Sequence, residues 1–354
     1  MTHYASSVRW LWIATLGVTA VMGCRKESRP TPAEQEIPPR EGLCPTKDSD
    51  DFCMPAARLE QDLEERELQV LTGHRTAQGS SAPFKLGVSV TNDGESTTYH
   101  VKLKPVPNSF DEPNNSPRRE LAAYALQKLF LDEERYVVPP TALRCLPRQG
   151  PLATSASHPG TDCVLGVVSY WVQNVRELAD TDLENLASAP ERAERLGDLN
   201  VLTYLEGHRD DVGLNFLVAT DDDDPRALSI DNGIAFEMWK YNPIRLFTSS
   251  WSQLKVPMIR AATIARLRAL DRTAIDSLAT VAQLTIADGK VRIDETTAPF
   301  DPRAGVRRRG STIQLGLTRD EIGAVHDHIG QLLREVDDGD VVLTAPTSLS
   351  RVAP

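Results

Sequence analysis

Apolar positions recur at two periods along this chain, and the switches between them outline its elements. Leu59, Leu63, Leu68 and Leu71, spaced among carboxylates, predict an amphipathic helix over residues 56–71. Residues 84–90 alternate, Asn92-Asp93-Gly94 signals a turn, and residues 97–104 alternate again, so a hairpin is expected. On its second strand Tyr99, Val101 and Leu103 share one face, while His100, Lys102 and Lys104 share the other. Ser116-Pro117 reads as an N-cap and first helical residue, and Leu121, Ala122, Ala125, Leu126, Leu129 and Phe130 continue a helix to Leu131. Residues 164–172 read as a buried strand leading to a hinge near Gln173. Further on, residues 175–186, 191–204, 251–254, 259–270, 272–285 and 319–336 have helical spacing, the last with Thr318 as N-cap, whereas 286–317 are less regular. Residues 215–220 and 227–230 read as two short strands joined by Asp221-Asp222-Asp223-Asp224-Pro225.

The N-terminus has a different pattern. Arg9 precedes an apolar run over residues 10–22 that is too short for a comfortable membrane span, and it closes in Val21-Met22-Gly23-Cys24. This looks like a bacterial lipoprotein signal over residues 1–23, which implies a lipid on Cys24 and attachment to the cell envelope. Residues 24–55, rich in Pro and charge, read as a disordered tether. With Cys24 assigned to lipid, Cys44, Cys53, Cys145 and Cys163 form an even set. Two disulfides are expected; proximity favours Cys44 with Cys53 and Cys145 with Cys163, although four cysteines allow three pairings. The chain of 354 residues is 40 % hydrophobic and 25 % charged, ordinary for a globular protein with room for two lobes. Its net charge of −11 argues against nucleic acid as the main partner. Arg307-Arg308-Arg309 is a short basic cluster, expected to be solvated.

Candidate chemistry lies in the order Gly207-His208-Arg209-Asp210-Asp211-Val212-Gly213-Leu214-Asn215, followed by Ile230-Asp231-Asn232-Gly233. Phosphoryl transfer uses one carboxylate to take a hydroxyl proton, and an amide with a second carboxylate to hold magnesium. On this spacing Asp210 is the base, with Asp211 as its rival, and Asn215 and Asp231 are metal ligands. Upstream, such a site needs a lysine and a glutamate partner. Lys104 or Lys102 on the strand and Glu120 in the first helical turn stand in that order.

Leu103-Lys104-Pro105, the polar loop after it, Arg119-Glu120-Leu121-Ala122-Ala123-Tyr124-Ala125-Leu126 and Val137-Val138-Pro139-Pro140-Thr141 resemble the secreted atypical kinases of the Golgi casein kinase group. The later motif is similar to kinase-like folds at large, including phosphatidylinositol-kinase-like ones. The resemblance implies Lys104 as the phosphate-pairing lysine and Glu120 as its partner, with ATP and Mg²⁺ or Mn²⁺ bound and a protein or glycan hydroxyl as acceptor. The chain departs from protein kinases in lacking G-x-G-x-x-G before Lys104 and an A-P-E-like element after Gly233. The expected architecture is an α+β, two-lobed, protein-kinase-like fold. A β-rich first lobe with one key helix covers residues 56–173, and a mainly helical second lobe covers 174–345. Two functional classes follow, an exported phosphotransferase, or a pseudokinase or nucleotide-binding lipoprotein without turnover, with a purely structural envelope lipoprotein as a third.

Overall fold

Alternation becomes sheet in the first half of the chain. The computed structural model describes residues 54–76, 83–92, 94–113, 115–155, 157–179, 182–183, 189–208, 215–221, 224–236, 252–254, 256 and 258–344. Helix α1 (Ala56–Glu65) leads into β1 (Gln69–Arg75), β2 (Phe84–Asn92) and β3 (Glu95–Pro105), and α2 (Pro117–Phe130) separates these from β4 (Thr141–Pro147) and β5 (Cys163–Tyr170). All five strands make one antiparallel sheet in the order β1-β2-β3-β5-β4. Phe84, Leu86, Val88 and Val90 of β2 are buried at every second position, and they join Tyr99, Val101 and Leu103 of β3 with Leu59 and Leu63 of α1 in one apolar cluster. β5 is covered on both faces: Val164 and Val168 belong to that cluster, while Leu165 and Val167 belong to a second one. Burial on both faces explains why its sequence is an unbroken apolar run. A disulfide joins Cys145 of β4 to Cys163 of β5, with Cα atoms 5.5 Å apart.

The second half is mixed. It contains β6 (Val175–Glu177), α3 (Pro190–Leu205), β7 (Phe216–Ala219), β8 (Ala227–Ser229), β9 (Met258–Arg260), α4 (Ala261–Ala269) and α5 (Arg272–Asp276). Then come β10 (Ala282–Ala287), β11 (Lys290–Asp294), β12 (Val306–Arg309), β13 (Thr312–Leu315), α6 (Arg319–Asp337) and β14 (Val342–Thr344). Its sheets are β6-β7-β8, β11-β10-β13-β12 and the parallel pair β14-β9. α3 is buried along almost its whole length, and a Cβ at Gly197 would come within 2.4 Å of the Met258 carbonyl, so α3 and β9 meet backbone to backbone. α6 starts in a capping box formed by Thr318 and Glu321. Leu284, Ile313 and Leu315 of the four-stranded sheet pack on Phe110, Leu121, Leu143, Leu165 and Val167, so this late segment rests on the first sheet and on α2. Among the described residues no helix is long and apolar enough to cross a membrane.

The fold class is therefore α+β, but several expectations need correction. The helix predicted over 56–71 ends at Glu65, because Gln69–Arg75 pairs with β2 instead. Residues 175–177, expected to be helical, form β6 against β7. The helix over 272–285 stops early, and its last residues enter β10. The irregular stretch 286–317 supplies the other three strands of a sheet, so the second half is not mainly helical. Ser116 takes an extended N-cap backbone, yet its hydroxyl caps nothing and is buried without a hydrogen-bond partner among the described residues. Arg307 is not solvated: it is buried and donates to the carbonyls of Asp301, Ala279 and Leu317.

Candidate functional site

Three charged side chains far apart in sequence converge beside β3. Antiparallel partners share a face, so the pairings Lys102↔Ser169↔Thr141 and Lys104↔Val167↔Leu143 form two successive rows across β3, β5 and β4. Lys104 is 2 % exposed. Its Nζ donates to Glu120 Oε1 at 2.9 Å and to Asp231 Oδ1 at 2.5 Å. Glu120 arrives on the first turn of α2. Asp231 arrives from the β7–β8 hairpin, whose ladder is extended by Ile230 N donating to the Asn215 carbonyl at 2.9 Å.

The turn after the hairpin is shaped around these groups. Asp231 adopts left-handed backbone angles, φ 61° and ψ 50°, and leads into a single 3₁₀ turn, Asn232–Ile234. Asn232 N donates to Glu120 Oε2 at 3.1 Å, and the Asn232 side-chain oxygen accepts from the Ser229 hydroxyl at 2.7 Å. A Cβ at Gly233 would lie 3.1 Å from Lys104 Nζ and 3.4 Å from Glu120 Oε1. Glycine here leaves room for the ammonium group and its partner carboxylate.

Electrostatics follow from that packing. Burial alone would lower the affinity of Lys104 for its proton, but the Glu120 and Asp231 carboxylates outweigh it and hold the amine above the ordinary lysine range. Burial alone would raise the Asp231 carboxyl; Lys102, 3.8 Å from its Oδ1, and Lys104 outweigh that and hold it well below the usual carboxylate range. Lys104 and Asp231 therefore carry opposite charges at neutral pH.

A cavity of about 910 Å³ opens beside them. Lys102, Ser169 and Thr141 line it from the sheet, together with residues 170–179 and with Leu217, Ile230 and Asp231. Thr141 Oγ1 lies 2.9 Å from Ser169 Oγ, so two hydroxyls stand together on the wall. A concave site with apolar sides and a few convergent polar groups fits a small ligand.

Lys104, Glu120 and Asp231 are thus brought together, Lys102 stands beside them, and Asn215 is opposite Ile230 in the extended ladder. Lys104 makes the bond to Glu120 that was expected of one lysine on that face. Asp210 and Asp211 lie outside the described residues, as do Cys24, Cys44 and Cys53. Among the described residues, no three His, Cys, Asp or Glu side chains gather as a metal cage. Asp231 and Asn215 carry hard oxygen donors of the kind that bind Mg²⁺ or Mn²⁺, and Asp231 Oδ1 is here bonded to Lys104.

Glu206, at the C-terminal end of α3, escapes sequence reasoning. It is 1 % exposed, and neither carboxylate oxygen has a hydrogen-bond partner among the described residues. Burial, and then the Glu120 charge, push its carboxyl well above the usual range. Its backbone carbonyl accepts from Phe236 N at 2.7 Å, which ties the end of α3 to the chain just past Gly233. In sequence it is one more glutamate at a helix end. No protein-family model matches this chain, and no curated protein matches it significantly.

Proposed function

We propose that this chain is a two-lobed, kinase-like phosphotransferase that binds ATP with Mg²⁺ or Mn²⁺ in the cavity beside Lys104 and passes the γ-phosphoryl group to a protein or glycan hydroxyl. The observation that carries this reading is Lys104 on the third strand, bonded at once to a glutamate in the first turn of the following helix and to the aspartate after a later hairpin. Kinases use that lysine–glutamate pair to place nucleotide phosphates, and the aspartate to hold metal. The segment that follows β5 and lines a large cavity agrees with it.

In this reading Glu120 keeps Lys104 extended, and Lys104 and Lys102 bind phosphate oxygens as the ligand draws Asp231 away from them. Asp231 and Asn215 would hold the metal, which neutralises charge on the phosphates. Asp210 would take the proton from the acceptor hydroxyl. Catalysis would come chiefly from positioning and charge neutralisation. The lipoprotein signal and the Cys145–Cys163 disulfide support an exported, envelope-anchored protein. The direct Lys104–Asp231 bond also supports a second reading, a nucleotide- or anion-binding protein without turnover, because the metal carboxylate already has a cation.

Melting temperature with ATP or ADP, with and without Mg²⁺ or Mn²⁺, is the first test. Ligand at a hundred times its Kd stabilises the folded state by about 2.7 kcal/mol, a readily measured shift. If neither nucleotide moves the transition, both nucleotide readings fail. Metal-dependent binding, with phosphate transfer lost in Asp210→Ala while binding persists, would establish the first; metal-independent binding without transfer would establish the second.

A further inference from the structure

The first turn of α2 is gripped from two directions, and only one of them is the cavity. Glu120 faces Lys104 and Asn232. Arg118, two residues earlier, engages the far end of the chain: Nη1 and Nη2 donate to the two carboxylate oxygens of Glu321 at 2.6 and 3.0 Å. Its Nε donates to Asp111 Oδ2 at 2.7 Å, and Nη1 also reaches the Gly316 carbonyl at 3.4 Å. Arg119 adds Nη2 at 3.3 Å from Glu321 Oε1.

The receiving end is equally determined. Glu321 sits in the first turn of α6, where its carboxylate accepts the Thr318 backbone N–H at 2.8 Å while Thr318 Oγ1 accepts Glu321 N at 3.2 Å. The Arg118 and Glu321 side chains are each 5 % exposed. A Cβ at Gly305 would fall 2.5 Å from Arg118 Nε and 2.6 Å from its Cζ, so the backbone of this loop passes directly against the guanidinium. A two-pronged, buried arginine–carboxylate pair fixes direction as well as distance, unlike an exposed one. Small displacements of groups that position a substrate are costly, with losses near a hundredfold per ångström.

We infer that Arg118 is a positioning residue: clamped by Glu321 and Asp111 against Gly305, it holds the first turn of α2 where Glu120 meets Lys104. Engagement of that pair is then a standing property of the fold, set by the C-terminal helix before any ligand arrives. The effect on nucleotide binding rests on the function proposed above; the clamp itself does not.

The test uses the full chain with Arg118→Met, Glu321→Gln and the conservative Arg118→Lys. Without nucleotide, hydrogen exchange at the amides of residues 119–123 should quicken at least about tenfold in the first two variants, with α1 and β2 amides unchanged, and Arg118→Lys should recover most of the protection. ATP titration with Mg²⁺ should show Kd raised at least about tenfold in the first two and largely restored by lysine. If Arg118→Met and Glu321→Gln do not fold, Gly305→Ala, which displaces the guanidinium without removing its charge, should give the same changes. Exchange over residues 119–123 at the wild-type rate in these variants overturns the clamp. Absence of ATP binding by the wild-type chain overturns the nucleotide reading alone, since the exchange comparison needs no ligand.

Discussion

Lys104 is the residue whose removal leaves the site least able to adapt. Without its ammonium group, Glu120 and Asp231 face each other beside the cavity, with Lys102 the cation nearest Asp231 among the described residues. Breaking a buried pair in this way costs about 3–5 kcal/mol. Because the Asp231 side chain is a third exposed and can rehydrate, the lower end is expected for Lys104→Met, together with loss of nucleotide binding; urea unfolding measures the former. Glu206 makes a prediction of opposite sign. Its folded-state affinity for a proton is raised, so the unfolded chain releases that proton first as pH climbs through about 4.3, and stability then declines until the folded carboxyl itself titrates. Glu206→Gln should therefore be more stable than wild type at pH 7, with the gain shrinking to nothing below pH 4; a series of melts across pH 4–8 would reveal a flat difference if Glu206 were ordinary. Lys104 could be read in sequence because strand alternation sets it on the polar face and a helix-start signal brings Glu120 after it. Glu206 could not, since nothing local distinguishes a carboxylate aimed at the interior from one aimed at water.

At the scale of elements, local signals and long-range pairing divide what was legible. The β2–β3 hairpin, α2, β5, α3 and α6 carry their own turns, caps or apolar runs, and they form close to where those signals place them. β6 is three residues long and exists through its pairing with β7, some forty positions on, so no periodicity within it could announce a strand. β12 and β13 contain one arginine, Arg307, and one glutamine, Gln314, that are buried by neighbours from other segments, which is why the region read as irregular. The Cys145–Cys163 bridge fastens β4 to β5, the strands that form part of the cavity wall. Its sequence separation of 18 implies about 3 kcal/mol of stabilisation through restriction of the unfolded chain. Reductant should lower the melting temperature of the wild type by several degrees and leave a Cys145→Ala/Cys163→Ala double variant, already lowered, unmoved. An equal response of the two proteins would mean that the bridge contributes nothing.

For the whole molecule, the four-stranded sheet and α6 complete the first half's core. Leu143, Leu165, Val167 and Phe110 have their apolar cover in Leu284, Ile313 and Leu315, and Arg118 has its carboxylate in Glu321. A chain ended at residue 280 would expose that patch and leave a buried guanidinium short of its main partner. Such a fragment is expected to melt without cooperativity or to aggregate; a sharp thermal transition from it would show that the first sheet stands alone. Sequence patterning could not reveal this dependence, because both surfaces look like ordinary sheet faces until they are opposed.

The Lys104–Asp231 and Arg118–Glu321 bonds also set a schedule. They close loops of 127 and 203 residues, so each waits on chain that is made much later. At synthesis rates of about 5–20 residues per second, the last of these partners emerges roughly ten seconds or more after Arg118. Throughout that interval Arg118 lacks its main carboxylate partner, and the turn of α2 that carries Glu120 is not yet held from that side. The clamp on α2 is therefore the last of these contacts to close, when α6 docks, and folding measured from the C-terminus should report its arrival.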